Sequence, residues 1–149
     1  MKTEGEVNAW LSKKLRIYAA KHPEVSYLKV SDRFHSGVSD FLIWQRCWVC
    51  RCASAAIEVK RANPKGGKLL SHGFTGPQIE FLRAQEAAGC RGFGLIYAPP
   101  GVLDVKIGQL ILIAGQNVKE NYSSTLWPEY LKTYPVTDFP IEQFLLDIT

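Results

Sequence analysis

The sequence predicts an α/β protein, and three observations carry that prediction. Val7, Leu11, Leu15 and Tyr18 recur at spacings of 4, 4 and 3, which is one apolar face of a helix. Short apolar runs, Phe41-Leu42-Ile43-Trp44, Ala55-Ala56-Ile57 and the stretch Gly92–Ala98, have the length and residue types of strands. Between the last two runs lies Thr75-Gly76-Pro77-Gln78, a capping box with proline in the first turn, which opens a second helix. The order helix, strand, strand, strand, helix, strand is that of a layered α/β architecture.

Each element has its own punctuation. The first helix spans Glu4 to about Ala20, with Lys13, Lys14 and Arg16 off the apolar face, and His22-Pro23 ends it. Val25 to Val30 alternates as a short strand, and Ser31 to Gly37 is a polar loop. Strand residues 41–45 and a turn near Gln45-Arg46 follow, then further strand through 47–60. Arg61-Ala62-Asn63-Pro64-Lys65-Gly66-Gly67-Lys68 is a basic loop rich in turn residues. The second helix runs to about Ala88 and Gly89 stops it. Gly92–Ala98 reads as a buried strand, broken by Pro99-Pro100-Gly101. Residues 102–115 hold one or two more strands. Of residues 116–149, only a short amphipathic segment near Ile141–Ile148 is placed. The expected organisation is one domain over 1–149, with a core at about 4–98 and a C-terminal extension at about 99–149.

Composition narrows the class. Hydrophobic residues make up 46% and charged residues 21%, as in soluble globular chains. No apolar run nears the ~20 residues that span a bilayer. The opening MKTEGEVNAW lacks an apolar segment, so no secretory signal is expected and a cytoplasmic setting is. The net charge of +4 is unevenly spread. Residues 1–75 carry 13 Lys/Arg against 6 Asp/Glu, whereas residues 76–149 carry 5 against 8. A basic N-terminal half suits a polyanionic partner, although solubility alone also accounts for it. Cys47, Cys50, Cys52 and Cys90 invite a zinc reading. Side chains alternate along a strand, so Cys47 would point away from Cys50 and Cys52, and no paired knuckle or close histidine completes a set. Reduced thiols are expected instead.

The informative residues are charges placed where a core should be. Asp40 opens the run 41–44, and Ile57 leads into Glu58-Val59-Lys60. Glu58 and Lys60 are two apart on a strand and therefore share a face. If the strands pair, Asp40, Glu58 and Lys60 meet at one sheet edge. Two carboxylates and the Val59 backbone carbonyl would then offer oxygen ligands to a hard cation such as Mg²⁺ or Mn²⁺. The metal would acidify a water for phosphodiester hydrolysis, with Lys60 beside it. The plain alternative is a solvated turn aspartate and an exposed pair at a strand end.

Asp40 after Gly37-Val38-Ser39, then Ile57-Glu58-Val59-Lys60, a basic loop, and a helix opening with Gln78 and closed by Gly89 together resemble the PD-(D/E)XK nuclease superfamily. The likeness is strongest to its VRR-NUC branch, in the small stand-alone form of phages and bacteria, and covers residues 4–98. It implies a restriction-endonuclease-like core and a divalent-metal-dependent DNA endonuclease acting on branched or junction DNA, such as Holliday junctions, as a homodimer. It implies metal binding by Asp40 and Glu58, a catalytic Lys60, and a Gln78 near the metal. A first-helix glutamate, Glu4, is the implied further ligand, with Glu6 as the fallback. Ser39 departs from the usual proline, and Asn8 from the common glutamine.

Each addition has an ordinary reading beside it. Gln78 closes the capping box, Glu4 favours the helix N-terminus through the dipole, or each does both. Arg33, His35, Lys65 and Lys68 are candidates for DNA-backbone contacts or are solvated loop residues. His72 reads as a loop residue. Trp44 and Trp48 suit base stacking or the core. The competing functional class is a catalytically inactive nucleic-acid-binding module with the same fold.

Overall fold

A computed structural model describes residues 1–30, 39–45, 53–103, 106–124 and 132–149. Six strands form one sheet in chain order: β1 (Val25–Lys29), β2 (Phe41–Gln45), β3 (Ala53–Arg61), β4 (Arg91–Ala98), β5 (Gln109–Ala114) and β6 (Lys132–Pro135). Neighbours are antiparallel except β3 and β4, which run parallel. A parallel pair needs a crossover, and helix α2 (Gly76–Ala87) supplies it. The core order of helix, three strands, helix and strand is therefore the expected one.

Helix α1 (Glu4–Lys21) starts where its chemistry requires. The Thr3 hydroxyl accepts from the Glu6 N–H at 3.2 Å, and the Glu6 carboxylate accepts from the Thr3 N–H at 3.0 Å. Thr3-x-x-Glu6 is thus a second capping box, legible in the sequence. Val7, Leu11 and Leu15 are fully buried against the sheet. Burying each contributes roughly 1.5–3 kcal/mol. Arg61, at the end of β3, donates from Nε to the Met1 carbonyl at 3.1 Å and so ties the start of the chain to the sheet.

The sheet separates two cores. On one face, Ala55, Ile57 and Val59 of β3 and Phe93, Leu95 and Tyr97 of β4 pack with α1 and with helix α3 (Ile141–Ile148). On the other, Ala56, Ile96 and Ala98 pack with Leu82 of α2, Phe74 and Val118. Helix α2 lies close on β4: a Cβ at Gly92 would fall 2.6 Å from the Leu82 carbonyl oxygen. Only glycine allows that approach.

The expected strand over 47–60 is described from Ala53 on, as β3; residues 46–52, which include Cys47, Trp48, Cys50 and Cys52, lie outside the described residues, as do Arg33 and His35. Cys90 is a free thiol. Arg61 belongs to β3 rather than to the basic loop. Residues 109–114 form one strand among the described residues. The largest difference is in the C-terminal third. Rather than trailing the core, it extends the sheet by β5 and β6 and lays α3 beside α1. Trp10 of α1 meets Phe139 edge-on at 5.1 Å, and Phe139, Phe144 and Tyr134 form an aromatic cluster there. That pairing joins positions over a hundred residues apart, beyond what local periodicity reveals. Among the described residues no helix is long and apolar enough to cross a membrane.

Candidate active site

The charged residues converge where β2 stops and β3 continues. The β2–β3 ladder has Phe41 opposite Ile57, so one step further sets Asp40 beside Glu58. There the ladder gives way to a side chain: the Val59 N–H donates to Asp40 Oδ2 at 2.8 Å. In a strand, a residue's N–H and C=O point to the same neighbour. The Val59 carbonyl is therefore directed to the same edge as Asp40. Strand alternation puts Glu58 and Lys60 on the α2 face, in line with Ala56 and Ala62.

Burial makes these charges costly. Glu58 is 3% exposed and Lys60 8% exposed. The Lys60 Nζ lies 3.7 Å from Glu58 Oε1 and over the Phe74 ring, 5.8 Å from its centroid. Gln78 comes from the first turn of α2 with both ends occupied. Its Oε1 accepts from the Thr75 N–H at 2.9 Å, while its Nε2 donates to Glu58 Oε1 in a short hydrogen bond. One amide caps the helix and holds the carboxylate, so the two readings of Gln78 are compatible.

These partners do not satisfy the site. Desolvation and the Asp40 charge push the Glu58 carboxyl up to about 8, against the opposing pull of Lys60. Burial also raises Asp40, although the Val59 N–H, Lys60, Lys29 and the Asn8 side chain oppose it. Glu4 is raised by burial and by Asp40, and lowered by Lys60 and His72. Glu4 thus senses the whole cluster, whereas Glu6 is committed to the capping box. His72, an exposed loop residue, adds a favourable field on Glu4.

Carboxyls pushed toward protonation by burial and by one another suit a hard divalent cation, which would take the place of the proton. Among the described residues the buried Asn8 Oδ1 has no hydrogen-bond partner, so the corner also holds an acceptor in need of a donor such as an ordered water. Asp40, Glu58 and the Val59 carbonyl are the fitting donors. Among the described residues no group of three or more His, Cys, Asp or Glu is placed to hold a metal. Glu4 thus lies within electrostatic range of the pair without being grouped with it. Lys65 and Lys68 are exposed on the loop after β3, and Trp44 is half-buried in β2.

Sequence reasoning assigned no role to Phe74, Lys29 or Asn121. Phe74 and Lys29 reach the site only through the tertiary fold, and Asn121 acts on the adjoining loop. Asn8 did carry a signal, because it lies four residues after Glu4 on the same helix face.

No protein-family model and no curated protein matches the chain. Among solved structures it is similar to Hjc, a Holliday junction resolvase of Archaeoglobus fulgidus, at 14% sequence identity and a TM-score of 0.44, over 87% of this chain and 89% of that one. At that level of similarity, the chemistry has to be argued from the residues themselves.

Proposed function

We propose that this chain is a divalent-metal-dependent DNA endonuclease of the PD-(D/E)XK type, nearest in its motif details to the VRR-NUC branch. The observation that carries the reading is the buried Asp40–Glu58 pair, opposed by Lys60 at both carboxyls and by Lys29 at Asp40, and still too poor in donors to hold its charge unaided. Structural ion pairs are normally balanced; this corner is not.

Asp40, Glu58 and the Val59 carbonyl would hold Mg²⁺ or Mn²⁺, with Glu4, in electrostatic range of both carboxyls, as the further ligand that the motif resemblance implies. A bound divalent cation would acidify a water and neutralise the scissile phosphate. The protein does the rest. Asp40 is oriented by the Val59 N–H, and Glu58 by the Gln78 amide. Lys60, set between Glu58 and the Phe74 ring, presents an ammonium to orient the attacking water and offset charge on the phosphoryl oxygens. The motif resemblance supports 5′-phosphate and 3′-hydroxyl products, preference for branched or junction DNA, a homodimer and a cytoplasmic setting.

Cleavage of linear duplex, single-stranded, flap and four-way-junction DNA with Mg²⁺ or Mn²⁺, beside Asp40→Ala purified identically, tests the reading. Metal-dependent cutting that vanishes in the variant is expected, strongest on branched substrates. Cutting that survives in the variant, or no cutting at all, sinks it and favours the inactive binding module. A strict monomer by light scattering would remove the homodimer.

A further inference from the structure

The basic loop after the catalytic strand is a built object. Lys65 and Lys68 exchange both backbone hydrogen bonds, Lys65 N–H to Lys68 O at 2.9 Å and Lys68 N–H to Lys65 O at 3.1 Å. Gly66 and Gly67 between them have φ of +61° and +79°. Two left-handed central residues make a type I′ turn, the connection that matches strand twist in a tight hairpin. Neither glycine has a neighbour within 4 Å of where a Cβ would stand, so conformation, not space, requires them.

The hairpin is clamped from both sides. Its arms pair through Asn63 N–H to Leu69 O at 2.9 Å. Its return arm pairs with the C-terminal third through Leu69 N–H to Tyr122 O at 2.9 Å, Ser124 N–H to Gly67 O at 3.0 Å and a bridge from Lys68 to Ser123. Asn121 then acts as a surrogate peptide. Its Oδ1 accepts from the Leu70 N–H at 3.0 Å and its Nδ2 donates to the Leu70 carbonyl at 2.8 Å. Leu69 and Leu70 are buried, whereas Pro64 to Lys68 are exposed.

A directly opposed, hydrogen-bonded pair puts both side chains on the same face of the hairpin, and like charges placed so destabilise it. Among the described residues, no carboxylate lies within salt-bridge distance of either ammonium. A hydrogen-bonded hairpin that presents two cations side by side, with no carboxylate among the described residues to pair them, is made for an anion. It starts two residues past Arg61, at the end of the sheet that holds Glu58 and Lys60.

We propose that the Lys65-Gly66-Gly67-Lys68 hairpin is a phosphate-backbone finger that grips duplex DNA beside the candidate active site, with Asn121 as the positioning residue that holds it. The choice of DNA rests on the nuclease reading; the built cation pair does not.

Binding of a fluorescent DNA duplex to the full chain in EDTA, titrated at several salt concentrations, tests this without requiring cleavage. Lys65→Ala/Lys68→Ala should lower the slope of log affinity against log salt by roughly 1.8, about 0.9 for each phosphate no longer neutralised. Gly67→Val and Asn121→Ala keep both lysines yet should lower the slope in the same direction, with little further change when combined with the lysine substitutions. Gly66→Asn should preserve wild-type behaviour, because asparagine tolerates the left-handed conformation. Circular dichroism checks that each variant is folded. An unchanged slope in the double-lysine variant overturns the finger. An unchanged slope in both Gly67→Val and Asn121→Ala overturns its rigidity and the role of Asn121. A wild type that does not bind duplex DNA overturns the whole proposal. A wild type that binds with the expected slopes but never cuts DNA supports the finger and sinks the nuclease reading.

Discussion

Asp147 and Glu58 are both carboxylates with lysine and glutamine partners, and the fold treats them in opposite ways. Asp147, in α3, accepts from Tyr134 Oη at 2.5 Å, Lys132 Nζ at 2.9 Å and Gln143 Nε2 at 3.1 Å. Burial pushes its carboxyl up, but the hydrogen bonds from Tyr134, Lys132 and Gln143 outweigh that and hold it below the usual aspartate range. Glu58 accepts from the Gln78 amide and has Lys60 only at ion-pair distance, 3.7 Å, on the same oxygen, and it lies in the field of Asp40 and Glu4. Its carboxyl rises to about 8. A carboxylate with a full set of donors anchors β6 to α3. A carboxylate crowded by its own kind is pushed to keep its proton instead.

The largest effects should fall on the crowded site. Asp40→Asn, Glu58→Gln and Lys60→Ala should each reduce cleavage on the order of 10³-fold or more, with the fold retained by circular dichroism. Asp147→Asn should leave turnover at the wild-type level. Equal reductions at both sites would erase the distinction between an anchoring and a reactive carboxylate.

Stability should respond to pH with opposite signs at the two carboxylates. The folded pKa of Glu58 lies above its ordinary value of 4.5, so the folded state holds the proton more tightly. Its contribution is fully present below about 4.5 and is lost as pH rises through about 8. Thermal unfolding of metal-free protein should show stability falling across that window. Glu58→Gln or millimolar Mn²⁺ should flatten the fall. Asp147 is depressed, so its contribution is present above 3.8 and is lost only as pH drops through its lower folded value. A metal-free protein that grows more stable from pH 5 to 8 would contradict the Glu58 environment.

Smaller effects separate anchoring from chemistry. Asp147→Asn should cost about 1–2 kcal/mol in denaturant unfolding, because Lys132 is exposed and the Tyr134 bond carries most of the contribution. Gln78 combines both kinds of work. Gln78→Ala should remove the acceptor for the Thr75 N–H, one half of the capping box, at a cost of roughly 0.5–1 kcal/mol, and also release Glu58. Gln78→Glu keeps an acceptor for the Thr75 N–H but sets a third carboxylate against the pair, so it should fold nearly as well and cleave more slowly. Equal stability and equal activity in the two variants would mean that the hydrogen bond to Glu58 is incidental.

Much of this was legible in the residues. Periodicity placed α1 and its buried Val7, Leu11 and Leu15, and strand alternation set Glu58 and Lys60 on one face. Capping chemistry located the start of α2 at Thr75. Those inferences hold because they concern neighbours within a turn or a pleat, where backbone geometry leaves few choices. The likeness of Asp40, Glu58, Lys60 and Gln78 to a nuclease motif was likewise a matter of spacing.

Tertiary structure decided what depends on distant residues meeting. It brought Glu4 into the field of Asp40 and Lys60. It set Phe74 under the Lys60 ammonium and brought Asn8 to Asp40. It joined the expected strand at 109–114 and the amphipathic segment at 141–148 to a further strand, β6, and made the C-terminal third a clamp on the Lys65–Lys68 hairpin, where Asn121 holds Leu70 across 51 residues. Such pairings leave no local pattern, since a polar side chain that replaces a ladder partner looks the same in sequence as one in solvent. The raised pKa of Glu58 is also a tertiary property: it exists because burial removes water from carboxyls that the chain carries 18 or more residues apart.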